Sequence, residues 1–236
     1  MIKGLICAGG TGTRLSPITK TVNKHLVGVL NQPMILYPLD TLRKMGIVDI
    51  MIVSGGEHIG GIAEFLGSGS RYNINLTYRV QEDAGGIAQA VMLSECFVGK
   101  DDVAVILGDN VFESVPTIKG GDNMAHLFVK NLPCDEAKRF GVILPGDNFI
   151  TEKPEYIPAN DVPVVTGLYI YPNDVFSVIG QQKPSARGEY EISDTNNYYL
   201  KNNRYSLHTF EGFWSDAGTV ESLKKTIDWA YENGIK

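Results

Sequence analysis

Short apolar runs rich in Ile and Val alternate along the chain with longer stretches whose apolar residues recur at helical spacing. Ile2–Cys7, Asp49–Val53, Leu76–Val80 and Val103–Leu107 read as strands. Between them, 33–45, 59–65 and 87–97 read as helices. Such alternation predicts an α/β fold with a Rossmann-like, doubly wound, mostly parallel sheet. The second half is less regular. There Phe140–Leu144, Val164–Tyr171 and Tyr205–Thr209 read as strands, and 191–201 and 220–233 as helices. The segment 118–135 reads as a surface excursion. No repeat or low-complexity tract interrupts the pattern, so a single domain with an insertion-rich second half is expected.

At 236 residues the chain can bury a substantial core. Its net charge of −6 argues against a nucleic-acid polymer or an anionic membrane surface as partner. It leaves room for a small anionic substrate, which a few local cations can hold. No apolar stretch approaches the roughly 18–20 residues that span a bilayer. Cys7, Cys96 and Cys134 are odd in number and widely spaced, which fits reduced thiols and a cytoplasmic protein. Of the four histidines, His25, His58 and His126 lack partners at zinc-ligand spacing and His208 has only Glu211 nearby, so a zinc site is not expected.

The first strand runs straight into Ala8-Gly9-Gly10-Thr11-Gly12-Thr13-Arg14-Leu15. Glycines let a backbone turn tightly and bring its N–H groups against phosphate oxygens; a turn without a ligand is the plainer reading. Two familiar phosphate loops are excluded by spacing. Leu15 stands where a dinucleotide fingerprint needs its third glycine, and Gly10 stands where a P-loop needs lysine. What remains is a glycine loop followed by Arg14, with Lys20 and Lys24 close behind. Arginine presents a planar fork of donors to phosphate, and lysine a compact charge. Ligands of open parallel sheets bind beyond the carboxyl ends of the strands, and the motifs here follow predicted strands.

The run AGGTGTRLSPITKTVNKHL resembles the signature of the sugar-1-phosphate nucleotidyltransferases, close to their glucose-1-phosphate thymidylyltransferase branch. The resemblance continues in Gln81–Ala90, Leu107–Asn110, Arg139–Val142, Glu152-Lys153-Pro154, Val165–Tyr169, Pro184–Ile192 and Gly212–Thr219. It implies a fold of the nucleotide-diphospho-sugar transferase type with inserted sugar-binding elements. Residues 1–115 would form the nucleotide-binding half and 136–220 the sugar-binding half. Three positions depart from the family pattern. Val27-Gly28-Val29 replaces a Leu-Pro-Val-like run, and Gly85-Gly86 replaces an Asp-Gly pair. With Lys236 last, the chain also resembles short members, for which weak feedback by dTDP-rhamnose is expected.

What the resemblance implies for each residue follows the chemistry. Arg14, Lys24 and Lys153 would be catalytic. Ala8, Gly9, Gly10, Gly12 and Thr13 would bind the triphosphate, with Gln81 and Gly86 reading the base. A glutamine amide offers the donor and acceptor that a thymine or uracil edge requires. Asn110, Gly141, Glu152, Val165 and Tyr169 would line the sugar, and Asp109 and Asp216 would hold Mg²⁺. The substrates would be a nucleoside triphosphate, dTTP or UTP, and a sugar 1-phosphate, joined with release of pyrophosphate. A homo-oligomer, dimer or tetramer, is expected. A non-catalytic sugar-nucleotide sensor is the alternative on the same fold, but it has no need to keep Asp109, Asp216 and Lys153 together. The missing third glycine makes a nicotinamide oxidoreductase remote.

Overall fold

The computed structural model describes residues 1–10 and 12–234; Thr11 of the glycine loop lies outside them. From the amino terminus come β1 (Ile2–Cys7), a small hairpin of β2 (Gly28–Val29) and β3 (Gln32–Pro33), and α1 (Leu36–Lys44). Then follow β4 (Asp49–Gly55), α2 (Gly56–Leu66), β5 (Asn75–Gln81), α3 (Gly86–Met92), α4 (Glu95–Val98), β6 (Asp102–Leu107) and β7 (Val111–Phe112). The rest comprises β8 (Ala125–Pro133), α5 (Cys134–Ala137), β9 (Gly141–Ile143), β10 (Ile150–Glu152) and β11 (Asp161–Tyr171). The last elements are α6 (Val175–Gly180), α7 (Ile192–Lys201), β12 (Tyr205–Thr209), β13 (Trp214–Ser215) and α8 (Val220–Glu232).

These elements group into two compact units, each drawn from three stretches of chain. The amino-terminal unit takes Lys3–Ala84, Ile106–Thr117 and everything from Gly212 onward. The central unit takes Met1–Ile2, Gly85–Val105 and Ile118–Glu211.

In the amino-terminal unit, β4 pairs in parallel with β1 on one side and β5 on the other. The registers Cys7↔Val53 and Gly55↔Gln81 bring the carboxyl ends of all three strands to one edge. β4 is buried from Ile50 to Ser54, as its unbroken apolar run requires of a strand covered on both faces. β5 alternates between half-buried and exposed positions, as an outer strand does. A second cluster joins distant parts of the sequence: Leu15, Val29, Met34 and Tyr37 pack with Val111, Ala217, Leu223 and Ala230. Helix α8 thus closes over the glycine-loop end of the unit. Its start is set by a capping box. Thr219 Oγ1 accepts from the Ser222 N–H at 3.1 Å, and Ser222 Oγ accepts from the Thr219 N–H at 3.0 Å.

The central unit is largely antiparallel. β11 pairs antiparallel with β8 and with β9, β9 pairs antiparallel with β10, and β12 runs parallel to β8. A shift of register between Val165 and Tyr169 marks a bulge in β11. Behind it stands a column of rings: Tyr169 on Tyr171 at 5.7 Å, and Tyr171 on Tyr199 at 5.9 Å. Both buried hydroxyls are satisfied, Tyr171 donating to Asn196 Oδ1 at 2.6 Å and Tyr199 to Asp174 Oδ1 at 2.9 Å.

Two sequence expectations are corrected here. The stretch 118–135 is not a surface excursion throughout, because β8 occupies Ala125–Pro133 and is buried from Ala125 to Val129. Its leading loop is tied down by Asp102, whose Oδ2 accepts from the Gly121 N–H at 2.6 Å, and by Arg204, which donates to the Asn123 carbonyl. The single helix expected over 87–97 is two, α3 and α4, because the Ser94 hydroxyl turns back to the Val91 carbonyl at 2.7 Å.

Because the capping box satisfies two otherwise orphaned donors, Thr219→Ala should cost about 1 kcal/mol of stability. The check is a urea transition whose midpoint falls while its slope stays constant. A midpoint equal to that of the parent protein would show that the box carries no weight.

Candidate active site

The glycine loop follows β1 and is pinned by backbone and side-chain bonds. The Ala8 N–H donates to the Val53 carbonyl at 2.7 Å, and Ser54 Oγ donates to the Ala8 carbonyl at 2.7 Å. What the glycines admit is specific. A Cβ on Gly9 would lie 2.8 Å from Gln81 Oε1, so the carboxamide of Gln81 lies over the loop. At Gly12, which has φ of +70°, a Cβ would meet Thr19 at 2.7 Å and the Lys24 stem at 2.9 Å. Thr13 and Arg14 follow on an exposed turn of 3₁₀ helix. Arg14 has no carboxylate partner among the described residues.

Lys24 is only 7% exposed. Its ammonium is held by Asp109 Oδ2 in a very short ion pair. Burial of Asp109 pushes its carboxyl upward, but the adjacent Lys24 charge prevails and holds it below the usual carboxylate range. The pair faces space that side chains are kept out of. A Cβ on Gly10 would lie 3.8 Å from Lys24 Nζ. One on Gly218 would lie 3.0 Å from Asp109 Oδ2, 3.4 Å from Lys24 Nζ and 2.9 Å from the Asp216 carbonyl. Asp216 reaches this place through the ribbon of β13 and β7, whose antiparallel register pairs Ser215 with Val111. Asp216 directly follows Ser215, and Asp109 stands two residues before Val111.

The Asp109 carboxylate, beside an opening at Gly218 whose rim carries the Asp216 backbone and with a cation already drawn to it, suits a hard divalent ion. Such ions take few protein oxygens and fill the rest of their shell with water or phosphate. Among the described residues no group of three or more His, Cys, Asp or Glu side chains forms a complete metal cage.

The central unit holds a second assembly. Strand register sets Glu152 opposite Gly141, and Gly141 opposite Val165, in one row across β10, β9 and β11. A Cβ on Gly141 would stand 3.2 Å from Glu152 Oε2 and 2.9 Å from the Ile150 side chain, so the missing side chain makes room for the carboxylate. Val165 and Tyr169 flank the bulge of β11, the kind of irregularity that re-aims side chains next to binding sites. Lys153 follows β10 with φ of +45°, a conformation uncommon for a side chain larger than glycine. Its N–H donates to the Phe140 carbonyl at 3.0 Å, and its ammonium lies 3.4 Å from Glu152 Oε1. Strain of this kind, of order 1–3 kcal/mol, is found where a side chain must be aimed.

The two residues expected to read a base fall in different units, Gln81 in the amino-terminal and Gly86 in the central. Gly86 opens α3 with φ of +89°, and a Cβ there would strike the Tyr190 carbonyl at 2.7 Å. Packing against Tyr190 is enough to require a glycine at that point. Asn110 is 1% exposed, bonded to Asp109 and to Trp214. Three residues near the pair, Gly218, His25 and Trp214, were not sequence candidates. Gly218 and Trp214 lie within the recognised run Gly212–Thr219, where only the aspartate carried obvious chemistry. His25 follows Lys24 and gave no signal. A cavity of about 590 Å³ lined by Tyr37, Thr41, Lys44, Arg71 and Tyr72 contains no candidate residue. Its cations Arg43 and Lys44 are already paired with Asp40.

With that geometry established, the comparisons are direct. Residues 3–230 match the nucleotidyl transferase family, and the chain belongs to it. It is similar to the glucose-1-phosphate thymidylyltransferase of Neisseria meningitidis, 43% identical over 97% of this chain and 82% of the relative. It is also similar to the enzyme of that name from Mycobacterium tuberculosis, 36% identical over the same shares. A solved Bacillus anthracis chain, described as a glucose-1-phosphate thymidylyltransferase in complex with sucrose, superposes with a TM-score of 0.89. It is 44% identical and covers 98% of this chain and 95% of its own. A UDP-glucose pyrophosphorylase at 24% identity and TM-score 0.83 shares the fold, covering 99% of this chain and 100% of its own. The chain is therefore an enzyme of the nucleotidyltransferase class, a family that generally works with a divalent metal. Among the described residues no helix is long and apolar enough to cross a membrane.

Burial drives the imidazole of His25 down to about 3, the Lys24 charge adding to the effect. The folded value lies below the ordinary 6.5, so the neutral ring contributes stability above pH 6.5 that is lost as pH falls. Between pH 7 and 5 the unfolded chain takes up a proton that the folded one refuses, at a cost of about 2 kcal/mol. Urea midpoints should fall across that range, and His25→Gln should flatten the fall. An equally steep loss in the variant would place the acid sensitivity elsewhere.

Proposed function

We propose that the enzyme joins dTTP and α-D-glucose 1-phosphate to give dTDP-glucose and pyrophosphate, with Mg²⁺ as the metal. The observation that carries this reading is the buried Lys24–Asp109 pair bracketed by Gly10 and Gly218. A paired cation and carboxylate facing vacant space at a glycine loop is suited to phosphates that arrive with a metal. The relatives' names supply the substrate pair.

The attacking sugar phosphate is largely ionised at neutral pH, since phosphate monoesters lose their second proton near pH ~6. No general base is required, and the neutral His25 is consistent with that. The obstacle is the approach of two polyanions, so placement and counter-charge supply the catalysis. The amides of Gly9, Gly10, Gly12 and Thr13, on a loop anchored at Ala8, and the Arg14 guanidinium receive the triphosphate, and Lys24 stands beside its α-phosphate. The Gln81 carboxamide pairs with the base, with Gly86 as the second base contact. Glu152, Gly141, Val165, Tyr169 and Asn110 hold the sugar hydroxyls, and Lys153 neutralises the sugar phosphate. Asp109 and Asp216 would hold Mg²⁺, which would supply counter-charge to the phosphates and to the leaving pyrophosphate. In this reading the whole chain is one catalytic domain, residues 1–115 serving chiefly the nucleotide and 136–220 chiefly the sugar. The unpaired cysteines support a cytoplasmic setting, and the expected dimer or tetramer is open to light scattering.

A matrix of nucleotides and sugar 1-phosphates, read by pyrophosphate release, tests the substrates; dTTP with glucose 1-phosphate should turn over fastest. Lys153→Ala should lower kcat/KM for the sugar phosphate at least 10-fold, the loss of one charge-assisted bond worth about 1.5–3 kcal/mol. The KM for nucleotide should stay within about 2-fold. Equal losses toward both substrates would move Lys153 away from the acceptor phosphate.

Asp109→Asn and Asp216→Asn should each abolish most turnover. Asp109→Asn should also lower stability by about 3 kcal/mol, because it strands the buried Lys24 charge. Thermal melts locate the temperature at which the variant is folded. Near-normal turnover of either variant with Mg²⁺ would remove that residue from the metal site.

A further inference from the structure

The buried polar groups beside Asp109 form a directed chain. The indole Nε1 of Trp214 donates to Asn110 Oδ1 at 2.9 Å, and Asn110 Nδ2 donates to Asp109 Oδ1 at 3.0 Å. Trp214 and Asn110 are 8% and 1% exposed. The remaining oxygen, Oδ2, meets Lys24 and faces the opening at Gly218.

The direction of this chain has one origin. An indole N–H can only donate, so it selects the carboxamide oxygen of Asn110 as its partner. The NH₂ group must then point the other way, toward Asp109. Turned over, the amide would set donor against donor at Trp214 and acceptor against acceptor at Asp109. A carboxylate, in turn, has two equivalent oxygens and a broad, two-fold terminal torsion. Its own covalent structure does not fix the plane of the group. The grip of the hydrogen bond from Asn110 does, and so sets the direction of the other oxygen.

The ribbon explains how a residue about 100 positions away comes to exert that grip. Trp214 pairs with Phe112 and Ser215 with Val111, so β13 is locked to the strand that follows Asn110. The Glu113 N–H donates to the Phe213 carbonyl at 3.0 Å and extends the same register. The ribbon therefore sets the indole and the second aspartate in a single act.

We infer that Trp214 is a positioning residue: through the carboxamide of Asn110 it fixes the plane of the Asp109 carboxylate and aims its other oxygen at the metal. The inference rests on the nucleotidyltransferase reading for the identity of the ion's task. The hydrogen-bond chain itself does not depend on substrates. An indole that served only as a packed ring against Phe112, 6.5 Å away, would be replaceable by another ring.

Trp214 and Trp229 are the two tryptophans of the chain, so Trp229→Phe leaves one indole as a reporter. In the metal-free full-length protein, its ¹⁵N–¹H cross-peak should shift when Asp109→Asn is added, although indole and carboxylate are bonded only through Asn110. Trp214→Phe keeps a ring and removes the N–H. It should weaken Mn²⁺ binding, followed by water-proton relaxation, at least 5-fold. The Mg²⁺ concentration for half-maximal pyrophosphate release should rise by a similar factor. The KM values for dTTP and glucose 1-phosphate at saturating Mg²⁺ should stay within about 2-fold. Asn110→Leu, which can no longer donate to Asp109, gives a second break in the chain should Trp214→Phe fold poorly, and should weaken Mn²⁺ binding likewise. Unchanged Mn²⁺ affinity in the folded variants, or an effect on the sugar KM alone, would overturn the proposal. If the substrate reading is wrong, the parent protein releases no pyrophosphate with any pair. The cross-peak and Mn²⁺ measurements still decide the relay.

Discussion

A lysine and an aspartate buried against each other at the ends of parallel strands govern the arrangement of the amino-terminal unit. Removing both charges from water costs several kcal/mol per ion, and their attraction repays it only with good geometry and further hydrogen bonds. Much of the surrounding structure supplies those terms. Asn110 satisfies the second oxygen of Asp109, Gly12 lets the Lys24 stem pass, and Gly218 leaves the mouth open. A neutral His25 behind them adds no competing charge. The pair is a poor device for stability and a good one for holding two opposite charges ready for a substrate that carries both phosphates and a cation.

The central unit reaches a comparable result with different means. No charged pair is buried at its row of Glu152, Gly141 and Val165; strand register does the aligning. The carboxylate is accommodated by an absent side chain, and the neighbouring lysine is turned by an unusual backbone angle. One unit places charge by burial, the other by backbone geometry. That division fits what each is proposed to hold, a highly charged triphosphate and a hydroxyl-rich sugar.

How much of this was legible follows from where the information resides. β4 and β6 carry the apolar runs Ile50–Val53 and Val103–Leu107, as buried parallel strands do, and the glycine loop announced itself by composition. β8 was concealed because Lys119–Asn123, rich in glycine and acid, leads into it, and because its buried half is only five residues long. The two-residue strands β7 and β13 are too short for any period, yet they bring Trp214 to Asn110. The turn at Lys153 could not be foreseen, since a positive φ is inferred from glycine or asparagine and seldom from lysine. The candidate site residues were chosen by chemical type, which gave no reason to pick Gly218, whose missing side chain leaves the opening at Asp109, or Trp214, which bonds Asn110.

The threading of the amino-terminal unit bears on how such a protein comes into being. Its opening stretch is completed by β7 and then by β13 and α8, the latter two among the last elements to be made. A ribosome adding roughly 5–20 residues per second needs on the order of 5–20 seconds to travel from Asp109 to Asp216. During that interval the nascent chain carries Leu15, Val29 and Met34 without the helix that will cover them. Meanwhile the longest stretch of the central unit, Ile118–Glu211, is synthesised in between. On the proposed assignment of Asp216 to the metal, the chemistry waits for that second aspartate, and the exposed apolar surface is what a chaperone would meet first.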